Sequence, residues 1–461
     1  MRRPLLFLIL LSILLAIARA QDTQDTTNTT TNNFEDEPTV DSQPTIDSKI
    51  AIDEQHETVP TTFQNPTTSI PSSEATATAG SDSSAHSSLP ETSLSAEPSQ
   101  APTPAVTNVP GLPENVTLAE ANAETLRETC AVLSGIFKLT GGQWTEATGW
   151  SSQDMLSCCG WARVHCNNVG VVTRLDLARN NLQGQIPSIF GKLMGLIHLD
   201  LSGNYLTGNL PSELGNLKTL KYLNVDENKL SGILPDSLGT IPVLEYIHLR
   251  NNSFTGGLPQ SWMDMTRLQG LFLSNNTLSG IIPPTIGKLI NLKGLALDSN
   301  HFQGKIPLEI GQLSSLQLLN LKGNNLTGPI PDTLYSITSL IDIVLSKNEL
   351  TGAISPAVGN LAAARIFDVG HNQLSEKIPP SIGNMVSLQK LLLNHNRFTG
   401  TFPSEIAQLQ NLEYLALGHN QLNGAFPSIV APPNLAYCRV QPNIFQIRSS
   451  SQSECTTINS N

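Results

Sequence analysis

Across residues 171–430 the apolar positions of this chain fall into one phrase that returns every 24 residues. One copy reads Leu199-Asp-Leu201-Ser-Gly-Asn204-Tyr-Leu206-Thr-Gly208-Asn-Leu210-Pro211, and another Leu319-Asn-Leu321-Lys-Gly-Asn324-Asn-Leu326-Thr-Gly328-Pro-Ile330-Pro331. Its polar anchor never slips: Asn180, Asn204, Asn228, Asn252, Asn276, Asn300, Asn324, Asn348, Asn372, Asn396 and Asn420 keep the interval. A period of this length means stacked supersecondary units, each sheltering the apolar face that its neighbour cannot bury alone.

The alternation within each unit predicts a short strand. In the fourth, Ile247 and Leu249 are expected to point inward, with Glu245, Tyr246, His248, Arg250 and Asn251 exposed or near the edge. Successive strands, about 5 Å apart, would pair in parallel as one long sheet on the inner wall. The anchor asparagine is expected to turn inward and bond backbone groups that would otherwise be buried unpaired, at about 1–3 kcal/mol each. The glycine four residues later permits a tight bend, and the Ile-Pro pair sets an extended path to the outer segment. Ser355 in place of proline, Glu376 in place of glycine, and Phe367 with Val369 in place of leucines point to a local change in twist or to tolerated variation.

An open stack needs closed ends. Residues 116–170 are read as the first cap: a capping box at Thr117-Leu-Ala-Glu120, an apolar stripe Leu126, Cys130, Leu133 and Phe137, then Trp144, Trp150 and Cys158-Cys159-Gly160-Trp161-Ala-Arg163-Val164-His-Cys166. Residues 431–461 form the second cap and tail, where the last unit degrades into Leu435-Ala-Tyr-Cys438-Arg-Val440. All six cysteines lie outside the repeats, which fits caps stapled in an oxidising compartment. The four in the first cap allow three pairings, and adjacent Cys158 and Cys159 are poor partners for each other. The expected bonds are Cys130–Cys158, Cys159–Cys166 and Cys438–Cys455, each stabilising by about 2–4 kcal/mol. A zinc site is the disfavoured alternative.

Residues 1–20 carry a charged start, an apolar run over 5–18 and small residues before Gln21, the pattern of a cleaved secretory signal. Residues 21–115 are rich in Ser, Thr, Pro and acids, a composition that cannot offset the entropy of ordering and resembles a mucin-like stalk. The chain's net charge of −12 resides there: residues 21–114 hold 15 acids against Lys49 alone. The near-neutral remainder gives no argument for nucleic acid or an anionic membrane. No segment after the signal has the length and apolarity of a membrane span. The expectation is a secreted monomer, extracellular or held to a cell wall.

Together the phrase and the cap resemble the plant-type leucine-rich repeat family, over residues 115–440. The resemblance implies the α/β class: a curved solenoid of about 11 repeats of 24 residues, a parallel β-sheet on its concave face, and disulfide-bonded caps. Arg163 stands where that family usually has glycine, and the long acidic stalk departs from it. Relatives include the extracellular domains of receptor-like kinases, receptor-like proteins and polygalacturonase-inhibiting proteins. The resemblance implies recognition of an extracellular protein, peptide or wall polysaccharide on the concave side. A structural wall or matrix component attached through the stalk is the alternative.

No catalytic signature is found: no Gly-x-Ser-x-Gly, no His-Glu-x-x-His and no phosphate loop. No cofactor or metal is implied. Two surface features carry expectations instead. Tyr222, Tyr246, His248, Arg250 and Phe272, beside Asp226 and Glu227, form a candidate concave binding patch; aromatics and arginine carry interface energy, and sugars also stack on such rings. His371, His395 and His419 occupy one column, readable as a chelate, an acid-sensitive surface or repetition inherited by duplication. Asn28, Asn115, Asn251, Asn275 and Asn325 are N-glycosylation acceptors, with Asn251 and Asn275 close to the patch.

Overall fold

The computed structural model describes residues 118–424 and 434–445. The capping-box Thr117, the signal and stalk segments, Asn28, Asn115 and Cys455 lie outside these residues. The chain opens with helix α1, Leu118–Leu139, and reaches the repeats through a loop and an antiparallel strand pair, Val164–Cys166 with Val172–Asp176. Each repeat then adds one short parallel strand, beginning with His198–Asp200, Tyr222–Asn224 and Tyr246–His248 and ending with Tyr437–Arg439. The result is a 13-stranded sheet whose spatial order is the chain order. Residues 24 apart face each other, as in Leu199 opposite Leu223 and Leu223 opposite Ile247. The central leucine is thereby repeated into a column that is fully excluded from water.

A second sheet, of 12 strands, runs along the flank from Gln183–Gln185 to Ile444–Phe445 and was not anticipated from the sequence. The Leu-x-Gly stretch after each anchor asparagine builds it, pairing residues 22 apart, as Gln183 with Tyr205. Gly208 enters its bend at φ +75°, a conformation closed to most side chains. Proline then sets an extended backbone, φ −69° and ψ 136° at Pro211, before a five-residue 3-10 helix, Ser212–Asn216, on the outer side. There Gly215 lets two turns approach closely: a Cβ at that position would sit 2.5 Å from the Ser237 carbonyl oxygen.

The asparagines do turn inward. Asn300 accepts from the Leu278 amide at 3.0 Å and donates to the carbonyls of Leu273, Leu297 and Asp298 at 3.0–3.1 Å. Each residue thus joins its own turn to the one before. At the start, Asn180 makes the equivalent bonds to the cap, with Glu146 N at 2.7 Å and Glu146 O at 3.0 Å. At the far end Asn443, only 23 residues after Asn420, takes the part of a twelfth anchor through the Leu422 amide and the Leu417 carbonyl. The irregular repeats keep their strand register. Phe367 and Val369 are fully buried, Ser355 caps the next 3-10 helix through the Ala357 amide, and Glu376 adopts the glycine conformation at φ +69°.

In the first cap Trp144, Trp150 and Trp161 pack in sequence, with ring centroids 4.5 and 5.5 Å apart, and close the apolar end of the stack. Cys130 is bonded to Cys158 and Cys159 to Cys166. Cys438 is also disulfide-bonded. Arg163, in glycine's place, sits at φ +65° and holds Glu146 at 2.8 Å and the Ala178 carbonyl at 3.0 Å. No helix among the described residues is long and apolar enough to cross a membrane.

Asn300→Ala leaves one buried amide and several carbonyls without partners, and thermal unfolding should show a loss of about 2–4 kcal/mol. Glu376→Gly relieves a left-handed backbone and should raise stability by about 0.5–1 kcal/mol, read as an increase in Tm.

Candidate ligand-binding face

Strand alternation that sends the central leucine inward sends its two neighbours to the open face of the sheet. The 24-residue register stacks these neighbours into columns. One column contains Arg174, His198, Tyr222 and Tyr246, and the next Asp200, Asn224, His248 and Phe272. Their rings form a connected row across four repeats. His198 lies flat on Tyr222 at 4.3 Å and 3°, Tyr222 is 5.2 Å from His248, and His248 is 4.6 Å from Phe272. Arg250 covers Phe272 at 5.3 Å and pairs with Asp226 at 2.8 Å. The Tyr246 hydroxyl donates to Gln269 Oε1 at 3.2 Å, and Asn224 donates to the Tyr222 hydroxyl at 3.3 Å.

Tyr222, Asp226, Tyr246, His248, Arg250 and Phe272 of the expected patch are therefore neighbours, but three of these six are not on the surface. Phe272 is wholly buried, and His248 and Asp226 are 3% and 8% exposed. For Phe272 the reason is Gly270. With no side chain there, the Phe272 and Tyr246 rings fold over it, at 2.5 and 2.7 Å from where its Cβ would be. Phe272 then packs with Ala296 and Leu318. It paves the sheet, and Arg250 and the neighbouring rings cover His248. Tyr222, Tyr246 and Arg250 remain half-exposed and form the accessible part.

Burial and the Arg174 charge lower His198 from 6.5 to about 3. His248 is likewise held well below its ordinary value by burial, Arg250 and His198. Both imidazoles are neutral near pH 7, so this end of the face does not switch its charge. Ring stacking also bears on ligand chemistry. His198 and Tyr222 cover each other's faces, as do Tyr414 and Tyr437 at 4.0 Å and 8° near the far end of the sheet. Each pair thus has one face of each ring closed and keeps its edges and hydroxyls for a ligand. The second tyrosine pair was not singled out in the sequence because Tyr437 falls in the degraded last unit, although both belong to the column of Tyr222.

His371, His395 and His419 stack as a column, with centroids 4.1 and 3.9 Å apart and planes within 15°. Parallel rings do not converge their nitrogens on one point, and no group of three or more His, Cys, Asp or Glu among the described residues is placed to hold a metal ion. Burial first, then Lys347, His419 and Lys322, hold His371 below its ordinary 6.5. The acceptors Asn251, Asn275 and Asn325 are exposed, and Asn275 donates to Asn251 Oδ1 at 2.8 Å.

The family model described as "Leucine rich repeat" matches residues 171–230 and 242–302, and a second of that description matches 315–337, 364–385 and 387–409. No curated protein matches the chain. Among solved structures, the PEPR1–AtPEP1 complex is 32% identical with a TM-score of 0.65, over 69% of this chain and 46% of that one. The Arabidopsis receptor kinase HAESA, in complex with the peptide hormone IDA and the co-receptor SERK1, is 30% identical with a TM-score of 0.59, over 68% and 58%. A plant ice-binding protein is 30% identical with a TM-score of 0.50, over 65% of this chain and 88% of that one. The chain thus spans about half the length of the receptor chains it matches. The repeat phrase, the inward asparagines, the paired sheets and these matches agree: the chain belongs to the plant-type leucine-rich repeat family.

Proposed function

We propose that this chain is an extracellular recognition protein that binds a peptide or protein segment on its inner sheet without covalent chemistry. The observation that carries the reading is the rigid ring row ending in half-exposed Tyr222, Tyr246 and Arg250. Large side chains already locked by their neighbours lose little entropy on binding, which is how interface anchors gain affinity. Solved relatives of this fold hold peptide hormones. Disulfides in the first cap support a working place outside the cell. Those peptide-holding relatives favour a peptide over a saccharide, and stacking in pairs withdraws one face of each paired ring from a pyranose.

A second reading, attachment to an extended solid such as a wall polymer or ice, is favoured by one observation. The flank sheet carries a row of small hydroxyls, including Thr207, Thr255, Ser279 and Thr351, on otherwise regular parallel strands. Its solved relative among ice-binding proteins shares the architecture.

A displayed random-peptide library panned against the full chain separates the two. Peptides enriched on the wild-type chain should bind about 10-fold or more weakly to Tyr246→Ala and Tyr222→Ala, with unchanged melting temperature. Failure to enrich any peptide, together with inhibition of ice recrystallisation or pelleting with wall material, would replace the first reading by the second.

A further inference from the structure

The inner face changes character beyond its aromatic end. In repeats three and four the cations are paired: Arg250 with Asp226 and Lys221 with Glu245. In repeats seven and eight Lys322 and Lys347 have no carboxylate within ion-pairing distance among the described residues. The column of Lys347 then continues as His371, His395 and His419, one per repeat. All four residues share a left-handed backbone, φ 52–57°, which fixes the direction in which each side chain leaves the strand end. Lys347, His371 and His419 are exposed and His395 half-exposed. The histidine rings lie about 4 Å apart in face-to-face contact.

From this geometry we infer that the strand-end strip formed by Lys322, Lys347, His371, His395 and His419 binds the carboxylates of an acidic peptide, and binds it more tightly as the medium becomes acid. The inference rests on the peptide-binding reading above and assigns its ligand a charge and a place. Two lysines supply a constant positive end. Three histidines extend it when protonated, and each proton is easier to hold when a carboxylate lies across the ring edges than when the rings face only one another.

Carboxylates also border the strip: burial raises Asp298 while Lys322 opposes that shift, and burial pushes Asp342, on the strand Asp342–Val344, up to about 6, so both carry less negative charge as the medium becomes acid. Strand Ile366–Asp368 contributes Asp368, which is buried, accepts from Ser346 at 2.6 Å and from the Gly370 amide at 3.0 Å, and is shifted upward by burial. Lys322 and Lys347 add positive charge at His371, and the flank strands that follow bring exposed Glu349 beside Lys347 and Arg397 beside His395, of opposite sign. On strand Lys390–Leu392 the neighbouring ionisable group is Lys390. Asn394 Nδ2 lies 3.3 Å from His371 Nε2 and donates to it when that nitrogen carries no proton. The sign follows from these causes. Burial, Lys347, His419 and Lys322 hold His371 below its ordinary value, so that ring gains its charge only as the medium becomes acid. Glutamates of a flexible peptide, near 4.3, stay ionised there.

A peptide is favoured over an acidic polysaccharide because His395 has both ring faces covered and His371 and His419 one each, so the column presents chiefly a row of edges for hydrogen bonds.

The test uses the full chain and a fluorescein-labelled synthetic peptide alternating Glu with Leu, its Gln-for-Glu counterpart, and an oligogalacturonate. Anisotropy between pH 5 and 7.5 should show the Glu peptide binding about 10-fold tighter at pH 5.5 than at 7.5, and the Gln peptide weakly at both. The triple variant His371→Asn, His395→Asn, His419→Asn should lose the pH dependence and keep the pH 7.5 affinity. Asparagine suits the left-handed position, because Asn251 and Asn275 occupy the same column in repeats four and five. Lys322→Gln with Lys347→Gln should weaken binding at both pH values. Equal binding of the Glu and Gln peptides, or a pH dependence that survives the triple variant, overturns the inference. Oligogalacturonate binding as tightly as the Glu peptide overturns the assignment to peptide. Dependence on the histidines without dependence on Tyr222 and Tyr246 keeps this site and removes the aromatic one; the reverse removes this site alone.

Discussion

The structure depends on one constraint: each turn buries backbone groups that its own strands cannot satisfy. A three-residue strand bonds its neighbours on either side, then the chain must turn under the next layer with amides and carbonyls still unpaired. The asparagine side chain, with one acceptor and two donors, fits that need. It accepts from the turn before and donates both within its own turn and backward, as Asn276 does to Leu249, Leu273 and Ser274 while accepting from Phe254. Burial of leucine drives the stack together. The amide ladder fixes how the layers sit.

Because that work is done on the inside, the outward positions of the strands are released from structural duty. Neighbouring repeats place His198, Tyr222, Tyr246 and Gly270 at the same backbone site without disturbing pairing. The face can therefore vary along its length: aromatic and ion-paired at one end, basic and histidine-lined further on. Function in this architecture is written where the fold is indifferent, and the caps exist to keep the indifferent part soluble and the ends closed.

What could be read in the sequence follows the same division. The strands, the inward asparagines and the extended Ile-Pro path were legible because each rests on a local rule repeated many times. The flank sheet was missed because Leu-x-Gly reads as a bend in isolation; only the pairing of residues 22 apart reveals a ladder. Asn443 was missed because a one-residue shortening broke the count. The patch was half right. Its members were found by column, yet the burial of Phe272 depends on Gly270, whose missing side chain lets a ring lie down across it, and Arg250 pairs with Asp226 from above. An outward glycine beside an aromatic was the signal available. Ligand identity was illegible because outward residues obey no periodic rule.

The ladder has a consequence for how such a chain changes over time. Each amide takes its bonds from two successive turns, so a cut or insertion inside a turn strands both partners. Removal of a complete turn instead brings equivalent partners into register. The molecule can thus grow or shrink only in steps of one coil, and its reach along a ligand is a count of coils rather than a continuous quantity. A near-miss such as the short step to Asn443 is accommodated at the last described turn, where the side chain still reaches the Leu422 amide.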